Sequence, residues 1–157
     1  MDIYVYDNVF SDEENDKLYN DILYNNSFTY GERDNPSTPV SGLVFNFENG
    51  PFYDVAIKAN SNLSNLKLQR SYVNLFLPKE IPYFHIDGEQ VVTCLFYLSP
   101  QYDLDEGGET QFFFDNKILG VQSKPKRLVV FDGAIKHRAT SFRSYPRITV
   151  ALKFLKS

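Results

Sequence analysis

Only two histidines occur in this chain of 157 residues, His85 and His137, fifty-two positions apart, and the first opens the triplet His85-Ile86-Asp87. In an extended strand successive side chains alternate faces, so His85 and Asp87 project the same way and can grip one ion from one edge. With His137 from a distant strand they would form a facial triad of two imidazoles and one carboxylate. Such a set leaves coordination positions open for a cosubstrate and dioxygen, which is the pattern of non-haem Fe(II) oxygenase chemistry. A lone His-x-Asp triplet is common by chance, so the rest of the chain must supply the positioning.

From Lys67 onward the sequence reads as strands and turns almost without relief. Leu68–Leu77, Tyr83–Ile86, Val91–Leu98, Gln111–Phe114, Ile118–Val121, Leu128–Phe131 and Arg147–Leu155 are β candidates, separated by turn formers such as Asp87-Gly88, Ser99-Pro100, Gly107-Gly108 and Asp132-Gly133. With Ile3–Tyr6 this makes about eight short strands, which predicts a mainly β fold, a sandwich or barrel rather than a βαβ arrangement. A jelly roll sets strands distant in sequence side by side, so His137 can join His85 and Asp87. Ser11-Asp12-Glu13-Glu14 has the form of a capping box, and Leu18, Ile22 and Leu23 give the helix it starts a core stripe, ended by Tyr24-Asn25-Asn26-Ser27. Phe52, Val55, Ala56 and Ala59 predict a second helix, and the two should buttress the sheet from outside. The polar, turn-rich run Gly31–Pro39 is a surface loop, either a plain connection or a lid over a substrate mouth.

Composition bounds the partners. The length suits one domain, 1–157, and aromatic residues at 16% with no Trp favour strands. The net charge is −4, and basic residues are scattered except for Lys124-Pro125-Lys126-Arg127, which makes nucleic acid a disfavoured partner. Cys94 is the single cysteine and sits in an apolar run, so it reads as a buried thiol with no internal disulfide to form. The N-terminus lacks the basic and apolar segments of a secretory signal, and no apolar stretch nears the roughly 20 residues that span a bilayer. A cytoplasmic location with no membrane partner is the default expectation.

Ten residues after His137 comes Arg147, opening a strand whose alternation places Arg147, Thr149, Ala151 and Lys153 on one face. Ile148, Val150, Leu152 and Phe154 on the other face are pure core. A guanidinium and a hydroxyl together at the strand start suit a carboxylate, because the planar fork pairs with it bidentately. Arg138 and Arg143 are rival candidates at less favourable positions.

The order His85-x-Asp87, Thr93-Cys94-Leu95-Phe96-Tyr97-Leu98, Gly107-Gly108-Glu109-Thr110, Pro125 to Phe131, His137 and Arg147 resembles the Fe(II)/2-oxoglutarate dioxygenases of the prolyl 4-hydroxylase type. The resemblance covers roughly residues 67–155, and the N-terminal strand and capped helix resemble that family's lead-in. It implies a double-stranded β-helix (a cupin-like jelly roll) in which His85, Asp87 and His137 bind Fe(II). It also implies 2-oxoglutarate and O2 as cosubstrates and admits ascorbate as a reductant. Arg147 and Tyr97 would hold the distal carboxylate of 2-oxoglutarate, and Thr149 resembles the second residue of an Arg-x-Ser/Thr pair. The chain departs from the family at Asn74-Leu75-Phe76, similar to an Asn-x-Tyr element whose tyrosine helps hold the cosubstrate. Here Phe76 lacks that hydroxyl, and Tyr72, on the same face, is a candidate substitute.

The expected activity is hydroxylation of an unactivated C–H bond, most closely a prolyl residue of a peptide or protein, coupled to conversion of 2-oxoglutarate to succinate and CO2. Alternatives are an oxygenase of a modified nucleobase or small molecule, and a noncatalytic β-sandwich binding module. Substrate choice should reside in Gly31–Pro39, the turn near Tyr83 and the Asp103–Gly108 loop.

Overall fold

A computed structural model describes residues 3–25 and 27–156; Met1, Asp2, Ser157 and Asn26 of the helix-ending run lie outside the described residues. The elements in chain order are β1 (Ile3–Tyr6), α1 (Asp12–Asn25), β2 (Leu43–Asn46), α2 (Gly50–Ala59), β3 (Lys67–Phe76), β4 (Val91–Tyr97), β5 (Thr110–Phe114), β6 (Lys117–Val121), β7 (Arg127–Asp132), β8 (Lys136–Ala139) and β9 (Arg147–Leu155). The strands form a major sheet ordered β1-β7-β4-β9-β3-β2 and a minor sheet ordered β6-β5-β8. All the neighbouring strands pair antiparallel. This is the expected mainly β, double-stranded β-helix architecture.

Strand alternation divides the major sheet into two working faces. Ile148, Val150, Leu152 and Phe154 of β9 join Val73, Leu75, Cys94 and Phe96 in a core closed from outside by Ile22 of α1 and Phe52 and Ala56 of α2. Phe52 packs edge-on against Phe10 at 5.7 Å and Phe96 at 5.1 Å between ring centroids. Each such fully buried ring contributes about 1.5–3 kcal/mol. The helices therefore buttress the sheet as expected, and Cys94 is buried among apolar neighbours that push its thiol pKa up. A second core lies between the sheets, where Phe112 of β5 meets Phe131 of β7 at 4.9 Å.

Two segments differ from the sequence reading. Tyr83–Ile86 is not a strand, because only His85 forms a bridge. Pro82 has no N–H to donate, and the Tyr83 N–H is taken by the Asp34 carboxylate at 2.8 Å. Conversely β8, Lys-His-Arg-Ala, pairs with β5 although it has four mostly polar residues and no readable alternation. Two basic residues of the Lys124–Arg127 cluster are matched internally. Arg127 pairs bidentately with Asp7 at 2.7 and 3.0 Å, and Lys126 with Asp12 at 2.6 Å.

The capping box forms as read, with Ser11 N–H donating to Glu14 Oε2 at 2.8 Å and Glu14 N–H to Ser11 Oγ at 3.1 Å. Ser11→Ala should lower unfolding free energy by about 1 kcal/mol in urea titration. An unchanged midpoint would mean that α1 is held by packing alone.

Candidate metal centre

The two histidines are directly opposed across a bridge. His85 N–H donates to His137 carbonyl and His137 N–H to His85 carbonyl, both at 2.9 Å, so their side chains leave the backbone on one side. The ring centroids stand 4.6 Å apart. In each ring Nδ1 faces a carbonyl two residues back, Tyr83 at 3.0 Å and Ile135 at 2.8 Å. A carbonyl can only accept, so Nδ1 carries a proton and Nε2 is the nitrogen left to face an ion. Both Nε2 atoms turn to Asp87, each 3.6 Å from one of its oxygens. One donor atom from each of the three residues can be chosen so that all lie within 4.8 Å of one another, a spacing that fits a single ion.

Asp87 is held from every side. Its N–H donates to Gly133 carbonyl at 2.8 Å, and the β7–β8 turn carrying Gly133 is closed by Gly133 N–H to Val91 carbonyl at 2.7 Å. Its carboxylate accepts from Thr93 Oγ1 at 2.5 Å on Oδ2 and from Lys153 Nζ at 2.7 Å on Oδ1. Burial pushes this carboxyl pKa up, but His137, Lys153 and Thr93 together outweigh it and leave it below the usual value. Burial also lowers the His137 pKa against the pull of Asp87, with His85 adding to the fall, so the ring is kept neutral, the form that can ligate. The donor set thus fits a divalent cation with two imidazole nitrogens and one carboxylate oxygen.

The other end of the same cavity is built for an anion. Arg147 is 1% exposed and lies on the face opposite the core, beside Phe76, Asn74 and Thr149. Its Nε donates to Gly108 carbonyl at 2.7 Å and one terminal nitrogen to Thr110 Oγ1 at 3.0 Å. The remaining terminal nitrogen has no partner among the described residues, and no carboxylate pairs with this buried cation. Burial lowers the Arg147 pKa, with Tyr97 and Glu109 opposing. Gly108 is glycine for two reasons: its φ is +79°, and a Cβ would come within 2.4 Å of the Phe142 ring.

The sequence-derived residues distribute between these two ends. His85, Asp87, His137, Arg147 and Thr149 all line one cavity. Tyr97 is fully buried beside it, 5.4 Å under the Arg147 guanidinium, with its hydroxyl on Thr110 Oγ1 at 2.6 Å. Tyr72 lines the same cavity, where it pairs with Ala151, four residues along β3 from the Phe76–Arg147 pair, and lies beside Lys153. Arg138 and Arg143 are engaged elsewhere, with Gln111 and the Asp105 carbonyl. Glu32, Arg33 and Asp34 of the 31–39 loop line the mouth. Glu32 grips Arg70 bidentately at 2.6 and 3.0 Å, while Asp34 accepts from Tyr83 N–H and lies 3.4 Å from His85 Nδ1. Thr93, Thr110, Lys153 and Asp34 were not identified as site residues from sequence. The face shared by Thr93 and Tyr97, and by Lys153 and Arg147, was the available signal.

Comparison with solved structures decides the fold. A prolyl hydroxylase from Trichoplax adhaerens, in complex with a hypoxia-inducible-factor peptide, superposes with a TM-score of 0.78 at 16% identity, covering 98% of this chain and 83% of that one. A Pseudomonas putida prolyl-4-hydroxylase gives 0.73 at 16% identity, covering 99% and 92%. The chain has the fold of the 2-oxoglutarate/Fe(II) oxygenases. HygX from Streptomyces hygroscopicus, with nickel and 2-oxoglutarate bound, gives 0.72 at 12% identity over 99% of this chain and 83% of that one. No protein-family model and no curated protein matches the chain. Among the described residues no helix is long and apolar enough to cross a membrane.

Gly133 has no room for a side chain: a Cβ would meet Val91 Cβ at 2.9 Å, Val91 carbonyl at 3.0 Å and Asp87 Cβ at 3.1 Å. Gly133→Ala should therefore displace Asp87 and weaken Mn(II) binding roughly tenfold or more, read by calorimetric titration. Unchanged affinity would show that Asp87 does not bind the ion.

Proposed function

We propose that this chain is an Fe(II)- and 2-oxoglutarate-dependent dioxygenase that hydroxylates an unactivated C–H bond, with a prolyl residue of a peptide or protein as its substrate. One observation carries the reading: three metal-ligating side chains and a buried, carboxylate-free guanidinium open into the same cavity. His85, Asp87 and His137 would hold the iron, which when bound supplies the redox chemistry that couples oxidative decarboxylation of 2-oxoglutarate to hydroxylation. The free terminal nitrogen of Arg147 and the Thr149 hydroxyl would take the distal carboxylate. Tyr97 supports that end through Thr110.

The protein's own groups orient and exclude water in this scheme. The Nδ1 contacts fix both imidazoles as Nε2 ligands, and Thr93 and Lys153 fix the carboxylate. The Glu32–Arg70 and Asp34–Tyr83 contacts tie down the 31–39 loop, whose Glu32, Arg33 and Asp34 line the cavity, and in this reading the loop would screen the reacting centre and contact substrate. The likeness to the Trichoplax enzyme with its bound peptide supports a peptide substrate. A second reading, oxidation of a small molecule, is supported by the likeness to HygX with hygromycin B bound, at a TM-score of 0.71 and 12% identity.

Iron- and 2-oxoglutarate-dependent succinate release should disappear in His85→Ala and Asp87→Ala; turnover persisting in either would overturn the ligand assignment. Arg147→Gln should raise the KM for 2-oxoglutarate roughly 10- to 100-fold, the loss expected for a charged hydrogen bond, while iron binding is retained. A peptide-library screen read by mass spectrometry should find +16 Da products on prolyl peptides. Turnover confined to small-molecule acceptors would select the second reading.

A further inference from the structure

The ion pair on Asp87 is the feature of the cavity that the proposed reaction leaves unexplained. Three ligands and an arginine account for holding a metal and a dicarboxylate, yet β9 places an ammonium group directly on the ligand carboxylate. Lys153 Nζ lies 2.7 Å from Asp87 Oδ1, and the two side chains are 17% and 2% exposed. The contact is built in: Lys153 pairs across the sheet with Arg70 on one side and Thr93 on the other, and its Nζ stands 5.4 Å from the centre of the Tyr72 ring. Of the other acids near this end, Glu32 is committed to Arg70 through both of its oxygens and Asp34 accepts from the Tyr83 N–H. Among the described residues, Asp87 is the one carboxylate within ion-pair distance of Lys153.

We propose that Lys153 is a positioning residue that occupies one oxygen of Asp87 and thereby loosens the grip of the site on its divalent ion; the inference rests on reading His85, Asp87 and His137 as the metal ligands. Two physical consequences follow. With Lys153 on Oδ1, the carboxylate shares its charge with an ammonium group, which makes Asp87 a weaker donor to the ion. A cation so close to a ligand atom also repels the dication, and the partly dry setting screens that repulsion less than water does. Thr93 has the opposite influence on affinity, because a neutral hydroxyl orients the carboxylate without repelling the ion. A site with the same three ligands and no Lys153 would bind metal more tightly and exchange it more slowly.

The test is calorimetric titration of Mn(II) into the full chain, without cosubstrate, with each variant checked for folding by circular dichroism. Lys153→Met should bind Mn(II) roughly tenfold or more tightly than the parent, and Thr93→Val more weakly. Lys153→Gln, which keeps a hydrogen-bond donor but no charge, should show the same tightening and serves if the Met variant does not fold. Lys153→Arg should stay near the parent affinity. The visible spectrum of the Co(II)-loaded protein should change in Lys153→Met and not in Lys153→Arg, as Asp87 becomes a stronger donor. Unchanged or weaker Mn(II) binding in folded Lys153→Met or Lys153→Gln would overturn the inference. His85→Ala separates this from the metal-centre reading: binding that survives there overturns both, whereas binding lost there but unchanged at position 153 overturns only the role of Lys153.

Discussion

The site depends on one pair of backbone hydrogen bonds, those exchanged by His85 and His137. They tie the segment before Asp87 to β8 of the minor sheet, and they set the two imidazoles side by side. Everything else at this end of the cavity reinforces that junction. The two Nδ1 atoms face carbonyls, Gly133 receives the Asp87 N–H, and the Phe131 ring packs edge-on against His137 at 4.7 Å. A bridge of one residue pair is a small element, yet it converts two distant stretches of sequence into one set of donor atoms.

The cavity has a consistent electrostatic plan along β9. Its face begins with Arg147, buried and free to pair with an anion, and ends with Lys153, paired to the ligand carboxylate. Between them Thr149 lines the cavity and Ala151 is buried against Val44 and Tyr72. Desolvation makes both cations costly unless each is matched, and a buried cation without a carboxylate partner is a standing demand for an anionic ligand. The opposite face of the same strand is wholly apolar and anchors it against the helices. Period-two alternation thus lets one strand serve stability and chemistry together.

That alternation is also why so much was legible in the sequence. The β9 faces, the capping box at Ser11, both buttressing helices, the buried Cys94 and the mainly β character follow from local periodicity and motifs, and the double-stranded β-helix from the family resemblance. The parts that were not legible are those fixed by tertiary contact. β8 is too short and polar to announce itself, and Tyr83–Ile86 resembles a strand but spends its donors on a loop side chain and a single bridge. Tyr72 shares a face with Phe76 and lines the same cavity, four residues along β3, beside Lys153. Lys153 was placed on the correct face; what it touches depended on how β3, β4 and β9 come together around Asp87.

The central claim is that one cavity binds iron through His85, Asp87 and His137 and 2-oxoglutarate between that iron and Arg147. The most direct measurement is the visible absorption of the Fe(II)-loaded protein under anaerobic conditions as 2-oxoglutarate is added. The account predicts a metal-to-ligand charge-transfer band that saturates with 2-oxoglutarate, is absent with succinate, and needs higher 2-oxoglutarate when Arg147 is replaced. Iron bound with no such band, or a band indifferent to Arg147, would contradict it.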